Sequence, residues 1–253
     1  MILHAASRGT AVGPALVLLH GLFGRAGNFG AVMSRLAANG RRVLALDLRN
    51  HGSSPHSAAM DYPAMAADVA ETLDAAGALP CRLVGHSMGG KVAMALALTD
   101  PPRVERLLVV DIAPMPYPPN FGAYAGAMRA MPLPPGLTRV AADAALTPDV
   151  ADPRIRGFLL QNLRVGDEPG WTIGFDAIAA ALPVIEAWPN LAGRYDGPTL
   201  FLRGARSDYV SDAAWPAIRA LFPAATVKTL PTGHWVHAED PDGFVAAVDA
   251  FTG

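Results

Sequence analysis

The residues of this chain best suited to chemistry are C-R-L-V-G-H-S-M-G-G-K, positions 81–91. An apolar run leads into Gly85-His86-Ser87-Met88-Gly89, a G-x-S-x-G pattern, and a helix-forming run starts at Gly90. A serine hydroxyl is a weak nucleophile and must project freely toward a base that takes its proton. A sharp strand-to-helix turn achieves this by forcing the serine into a strained conformation, with room left by glycines two residues before and two after. Met88 then offers a backbone N–H at a helix N-terminus, where negative charge is favoured. The pattern predicts Ser87 as a nucleophile and the Met88 N–H as one donor to a developing oxyanion.

The same stretch carries the frame of a phosphate-binding loop, Gly85-x4-Gly90-Lys91, and Leu107–Asp111 looks like the strand and aspartate that support magnesium in such proteins. That chemistry needs a Ser or Thr hydroxyl after the lysine; Val92 stands there and argues against a nucleotide triphosphatase. A second oxyanion donor is expected in H-G-L-F-G, residues 20–24, a glycine-rich turn after the first apolar run. Leu22 is the candidate, through its backbone N–H. Gly21, Gly24, Gly27 and Gly30 have the wrong spacing for a dinucleotide fingerprint.

Position narrows the seven histidines to candidates for the base. His86 lies inside the turn and is expected to point elsewhere. His4 and His56 fall in peripheral segments. His51, in D-L-R-N-H-G, is expected to fix its own loop by hydrogen bonds. His234 follows the last strand-like run, in P-T-G-H-W just before the final helix, and is the preferred base; His237 is its rival. His234-x-x-His237 has no further histidine or cysteine ligands beside it, which speaks against a metal site. Two carboxylates could orient the imidazole: Asp111, ending a strand in V-V-D-I-A-P, and Asp208, in R-G-A-R-S-D-Y-V. Asp111 is preferred and Asp208 is the alternative.

The elements that must position these groups follow from pattern. Apolar runs recur at 15–19, 43–48, 82–85, 107–112, 199–202 and 226–230, each of strand length and without a polar face, as in parallel strands buried on both sides. Helical patterns separate them at 29–38, around Met65, Val69, Thr72 and Leu73, at 90–99 and at 241–251. This alternation predicts a doubly wound α/β fold with a mostly parallel central sheet flanked by helices. It breaks between Ile112 and Asp196, where 12 of the 23 prolines lie. Prolines at that density make turns and cap short helices, here expected at 121–130, 138–145, 153–162 and 175–182. The expected organisation is a core of residues 1–111 and 197–253 with an inserted helical cap, 112–196.

Composition bounds the partners. The chain has 253 residues, 51% hydrophobic and 17% charged, enough for a core without staples. A net charge of -2 argues against a basic protein tracking polyphosphate, so no nucleic-acid partner is expected. One cysteine, Cys81, excludes an internal disulfide and any zinc site needing two cysteines from this chain. No apolar stretch approaches the ~20 residues of a membrane helix, and the N-terminus lacks the features of a signal peptide. A soluble protein of a reducing compartment, the bacterial cytoplasm, is expected. The oligomeric state is not legible.

Together these residues resemble the α/β-hydrolase superfamily, most closely the small bacterial esterases of the YbfF type and their mitochondrial relatives. The motifs that carry the likeness are H-G-L-F-G (20–24), D-L-R-N-H-G-S-S-P (47–55), Y-P-A-M-A-A-D (62–68), G-H-S-M-G-G-K (85–91), D-I-A-P (111–114) and G-H-W-V-H-A-E (233–239). The resemblance implies a serine esterase or thioesterase acting on short to medium acyl groups through an acyl-enzyme, with no metal or cofactor. It maps the nucleophile onto Ser87, the base onto His234, the acid onto Asp111 and the oxyanion donors onto Leu22 and Met88. The later acid position common in the superfamily falls on Ser207, one residue before Asp208, and looks vacated. A serine at the elbow argues against dehalogenase and epoxide-hydrolase chemistry. Perhydrolase or C–C bond hydrolase activity, or a non-catalytic small-molecule receptor, remains open on this fold. Phe121, Tyr124, Trp171 and Trp188 are the expected apolar acyl pocket, and Arg129, Arg139, Arg154 and Arg156 the cations available to acyl-CoA phosphates.

Overall fold

The computed structural model describes residues 1–10 and 12–253. Its strands are β1 (Ala5–Arg8), β2 (Leu16–Leu19), β3 (Val43–Leu46), β4 (Cys81–His86), β5 (Val104–Val110), β6 (Leu163–Arg164), β7 (Gly170–Trp171), β8 (Thr199–Gly204) and β9 (Ala225–Leu230). Its α-helices are α1 (Gly30–Ala38), α2 (Tyr62–Ala75), α3 (Met88–Thr99), α4 (Gly122–Ala130), α5 (Arg139–Leu146), α6 (Pro153–Leu160), α7 (Phe175–Glu186), α8 (Trp215–Leu221), α9 (Val236–Glu239) and α10 (Pro241–Thr252).

Seven strands form one sheet in the order β1-β3-β2-β4-β5-β8-β9. Only β1 runs antiparallel to its neighbour; the other paired strands are parallel. The unbroken apolar runs are explained by burial on both faces. Val17, Leu19, Leu107 and Val109 point into a core shared with Met65 and Val69 of α2, Val92 and Leu96 of α3 and Ile218 of α8. Leu16, Leu18, Leu108 and Val110 point the other way, against Val32 and Leu36 of α1 and Phe244 and Val248 of α10. The fold is the mostly parallel α/β architecture that the alternation predicts.

Three differences have local causes. β1 was not expected, because Ala-Ala-Ser-Arg is a largely exposed edge strand with no apolar run. The β3 strand stops at Leu46, two residues short of its apolar run, and the turn follows at Arg49 and Asn50. α7 passes its expected end at Leu182 and runs through Pro183 to Glu186, since a proline this close to the C-terminus removes a single hydrogen bond. Residues between β5 and β8 carry α4–α7 and the β6–β7 hairpin rather than a bare loop. Among the described residues no helix is long and apolar enough to cross a membrane.

Candidate active site

The loops that follow β2, β4, β5, β8 and β9 meet at the carboxyl edge of the sheet, where an open α/β sheet leaves its crevice. Ser87 follows β4 with φ 54° and ψ -121°, a strained conformation outside the helical and extended regions. Its N–H is held by the Val110 carbonyl at 3.0 Å, and its carbonyl accepts from Gly90 N at 2.8 Å. The two flanking glycines are required by close packing. A Cβ on Gly85 would lie 2.2 Å from the Gly89 carbonyl oxygen, and one on Gly89 would lie 2.5 Å from the Leu19 and His20 carbonyl oxygens.

Asp111 follows β5, is fully buried, and has φ 52°. Its Oδ2 accepts from His234 Nδ1 at 2.7 Å and from the Ser207 hydroxyl. Its Oδ1 accepts from Gly204 N at 3.0 Å, so both carboxylate oxygens are satisfied. Asp208 is exposed and makes no hydrogen bond or ion pair among the described residues. Ser207 therefore meets the buried acid, and Asp208 points away.

The His234 ring is held on several sides. Tyr209 stacks on it with centroids 4.2 Å apart and planes 28° from parallel. Tyr209 is itself fixed by Tyr117, whose hydroxyl donates to its carbonyl at 2.5 Å. His86 Nε2 donates to the His234 carbonyl at 2.9 Å, and desolvation pushes His86 well below the usual imidazole range, so a neutral donor is the stable form. His86 was expected to turn away; it instead braces the loop of the other histidine. Neither Tyr209 nor this use of His86 was legible, although His86 lies within G-H-S-M-G-G-K and Tyr209 two residues after Ser207. His237 lies one turn beyond, packed on Phe29, His86 and Phe244. Burial pushes its pKa down to about 4, and its Nδ1 has no partner among the described residues.

On the other side of Ser87 lies the turn after β2. The N–H groups of Leu22 and Met88 donate to nothing among the described residues. Gly24 N closes the turn onto the Gly21 carbonyl at 2.9 Å, with Phe23 at φ 59°. Two buried histidines tie this turn to the loop after β3. His20 Nε2 accepts from Leu48 N at 3.0 Å, and His51 Nε2 accepts from Phe23 N at 3.1 Å. Asp47 adds contacts to Ala26 N at 2.6 Å and Ser53 N at 2.9 Å. This is why H-G-L-F-G and D-L-R-N-H-G-S-S-P occur together: each loop supplies the polar partners of the other.

Lys91, which gives the stretch its likeness to a phosphate loop, is buried beneath the segment between β5 and β8. Its Nζ donates to the carbonyl of Ala187 at 2.6 Å, and lies 3.3 Å from that of Glu186, at the C-terminus of α7. A cation suits that end of a helix.

A cavity of about 520 Å³ opens over Ser87 and His234, within the range of small-molecule sites. The turn after β2 and the loop after β9, including Trp235, form part of its wall. Phe121, Tyr124, Ile155, Phe158 and Leu159 of the β5–β8 segment form the rest, and the wall is mostly apolar. Two of the four expected aromatics are elsewhere. Trp171 stacks on Phe175 and donates to the Met128 carbonyl at 3.2 Å, and Trp188 lies beside Tyr62. Ile155 and Phe158, on α6, take their place. Of the four arginines only Arg154 reaches the cavity; Arg129 pairs with Asp176, Arg156 with Asp143, and Arg139 holds the Leu160 carbonyl.

Comparison with known proteins places the chain in a family. Residues 16–247 match the model of the "Alpha/beta hydrolase family". The chain is 46% identical to mouse "sn-1-specific diacylglycerol lipase ABHD11" over 96% of its own length and 82% of the mouse protein. It is 36% identical to "Esterase YbfF" of Escherichia coli K12, over 92% of this chain and 91% of that one. A solved "Marine microorganism esterase" superposes with a TM-score of 0.94 at 32% identity, covering 99% of both chains. With the family model matching nearly the whole chain and the strand order, elbow and crevice in agreement, the protein belongs to the alpha/beta hydrolase family.

Proposed function

We propose that the protein hydrolyses carboxylic esters of uncharged, short to medium acyl groups through an acyl-enzyme on Ser87. Residues 112–196 serve as the cap that closes the acyl pocket over a core of residues 1–111 and 197–253. The observation that carries this reading is the 2.7 Å hydrogen bond from His234 Nδ1 to the buried Asp111, in a cavity that also exposes Ser87. It fixes the tautomer that leaves Nε2 free to accept a proton. The names of the mouse and Escherichia coli relatives, a lipase and an esterase, point to the same bond class.

His234 Nε2 takes the proton of Ser87 as Oγ attacks the ester carbonyl carbon. The Leu22 and Met88 N–H groups receive the oxyanion, and Asp111 stabilises the imidazolium. Collapse breaks the C–O bond to the alcohol, which leaves with the proton from His234. Water then attacks the acyl-enzyme, gives its proton to the same nitrogen and releases the acid, while Ser87 recovers its proton. The chemistry balances with water alone. A thioester passes through the same steps with a thiol as leaving group.

The test is a panel of p-nitrophenyl esters and acyl thioesters graded in acyl length, with Ser87→Ala alongside. Turnover should rise as each buried methylene adds about 0.8 kcal/mol, then fall once the pocket is full. Ser87→Ala should lower kcat by about 10⁴-fold or more with the fold intact. A fluorophosphonate should label Ser87 alone. Ligand binding without turnover in the wild type would mark the chain as a receptor instead.

A further inference from the structure

Resting on this esterase reading, we propose that Asn162 of the cap is a positioning residue for the oxyanion hole, acting on Leu22 through a relay of backbone amides. Asn162 is 1% exposed and stands just beyond α6. Its side-chain Nδ2 donates to the Phe23 carbonyl at 2.8 Å. That carbonyl shares a peptide with Gly24 N–H, which points the opposite way across the plane of a trans amide. Gly24 N donates to the Gly21 carbonyl at 2.9 Å. The Gly21 carbonyl in turn shares its peptide with the Leu22 N–H, the group aimed at the oxyanion. His20 Nδ1 donates to the same Gly21 carbonyl at 2.8 Å, so core and cap together set the direction of the Leu22 donor, the cap acting through two amide planes in which each hydrogen bond polarises the next.

The turn needs such a hold. A positive φ at its third residue alone marks a type II turn, whose usual occupant is glycine. Here the residue is Phe23, at φ 59° with its ring buried to 1% exposure. A bulky residue stays there only where its surroundings over-determine it. Phe23 N–H is held by the core, at His51 Nε2, 3.1 Å away. Its carbonyl is held by the cap, at Asn162 Nδ2 and, at 3.2 Å, Gln161 Nε2.

Asn162 is anchored for this task. Its N–H donates to the Leu159 carbonyl at 3.1 Å, and its own carbonyl accepts from Thr172 N at 2.8 Å and Thr172 Oγ1 at 3.0 Å. Gln161 Oε1 accepts from Asn28 Nδ2 at 2.8 Å, a further tie to the chain after the turn. A parallel stitch joins Gly174 N to the carbonyl of Asn50 at 2.8 Å, in the loop that carries His51. Both positive-φ residues other than glycine on this side of the site, Phe23 and Asn50, thus accept hydrogen bonds from the cap.

The experiment compares wild type, Asn162→Asp and Gln161→Ala on a p-nitrophenyl ester and on a trifluoromethyl ketone with the same acyl chain. The ketone adds Ser87 and places an oxyanion in the hole. Asn162→Asp turns the donor into a carboxylate facing a carbonyl. It should lower kcat by about 10- to 100-fold, keep KM within about threefold, and weaken the ketone by the same factor as kcat. Gln161→Ala removes the longer bond to the Phe23 carbonyl together with the tie to Asn28, and should lower both by about two- to fivefold. A role confined to holding the cap down would instead lower the melting temperature at unchanged kcat, or raise KM alone, and either result rejects the proposal. Should Asn162→Asp not fold, unchanged kcat and ketone affinity in Gln161→Ala reject it equally. Failure of the esterase reading would show separately, as absent turnover and absent Ser87 labelling in the wild type.

Discussion

Both flanks of Ser87 are built around histidines, yet the rings are placed for opposite purposes. On the oxyanion side, His20 Nδ1 donates to the Gly21 carbonyl at 2.8 Å and His51 Nδ1 to the Arg49 carbonyl at 2.9 Å, while each Nε2 accepts a backbone N–H. Protonating either ring would turn an N–H donor on its acceptor nitrogen against another N–H. Burial reinforces this, lowering His20 and pushing His51 down to about 3. On the other flank, His234 Nδ1 meets a carboxylate instead of a carbonyl, and its remaining nitrogen bonds no backbone group among the described residues. A histidine held between a carbonyl and an N–H is a neutral brace. One held by a buried carboxylate is suited to take a proton.

The contrast is sharpest in two substitutions. Asp111→Asn keeps the shape of the His234 flank but offers the wrong partner to Nδ1. The expected loss is about 10³–10⁴ in kcat, or roughly 4–5.5 kcal/mol, with a melting temperature near that of the wild type. Asp208→Asn should stay within about tenfold of normal. A severe Asp208 defect beside a near-normal Asp111 variant would reverse the assignment of the acid. His51→Leu strikes the brace. It leaves Phe23 N–H buried without an acceptor, at a cost of about 1–3 kcal/mol in stability, and loosens the turn that carries Leu22. Here kcat should fall by only about 10- to 100-fold, accompanied by a lower melting temperature. Equal rate losses in Asp111→Asn and His51→Leu would erase the distinction between base and brace.

How much of this was legible follows the same divide. The elbow was readable because G-x-S-x-G sits between an unbroken apolar strand and a helix, a local signal with a single physical meaning. Asp111 and His234 were readable as candidates because each follows a core strand, and chain order did the rest. The partners that cross from one element to another were not. Asn162 on Phe23 and Lys91 under α7 depend on where the residues after β5 fold back, and proline-rich segments carry no period from which to read that; Tyr209 on His234 depends on how the loops after β8 and β9 meet. The acyl pocket failed in the same way. Trp171 and Trp188 looked like pocket residues by type, but the hairpin and Tyr62 claim them, and the less conspicuous Ile155 and Phe158 line the cavity.

Acid stability offers a weaker handle on the braces. His51 is pushed down to about 3 and His237 to about 4, while unfolded histidines titrate near 6.5. Between those values the unfolded chain binds more protons, so stability rises with pH. It is complete above about 6.5 and is lost as pH falls toward the folded values, by about 1.4 kcal/mol per pH unit for each histidine. Urea denaturation between pH 4.5 and 6.5 should show this slope before the paired carboxylates begin to protonate. A flat profile over that interval would mean that the rings are not held neutral.

The smallest expected effect concerns His237, the rival base. Its ring lies between Phe29, His86 and Phe244, and its buried Nδ1 has no partner among the described residues. A buried polar atom left unpaired is destabilising by about 1–3 kcal/mol, and that penalty disappears when an apolar ring replaces it. His237→Phe keeps the aromatic packing but adds volume to a tight site, which takes back part of the gain. The net should be a rise of up to about 1 kcal/mol, with the acid slope of the wild type reduced by one histidine's share. Turnover should stay within about tenfold, because the Asp111–His234 and His86–His234 hydrogen bonds do not pass through His237. Measured together, the melt, the slope and kcat separate the two histidines of G-H-W-V-H. A collapse of kcat in His237→Phe, with His234→Ala still active, would move the base to the second histidine and leave the Asp111 contact without a catalytic purpose.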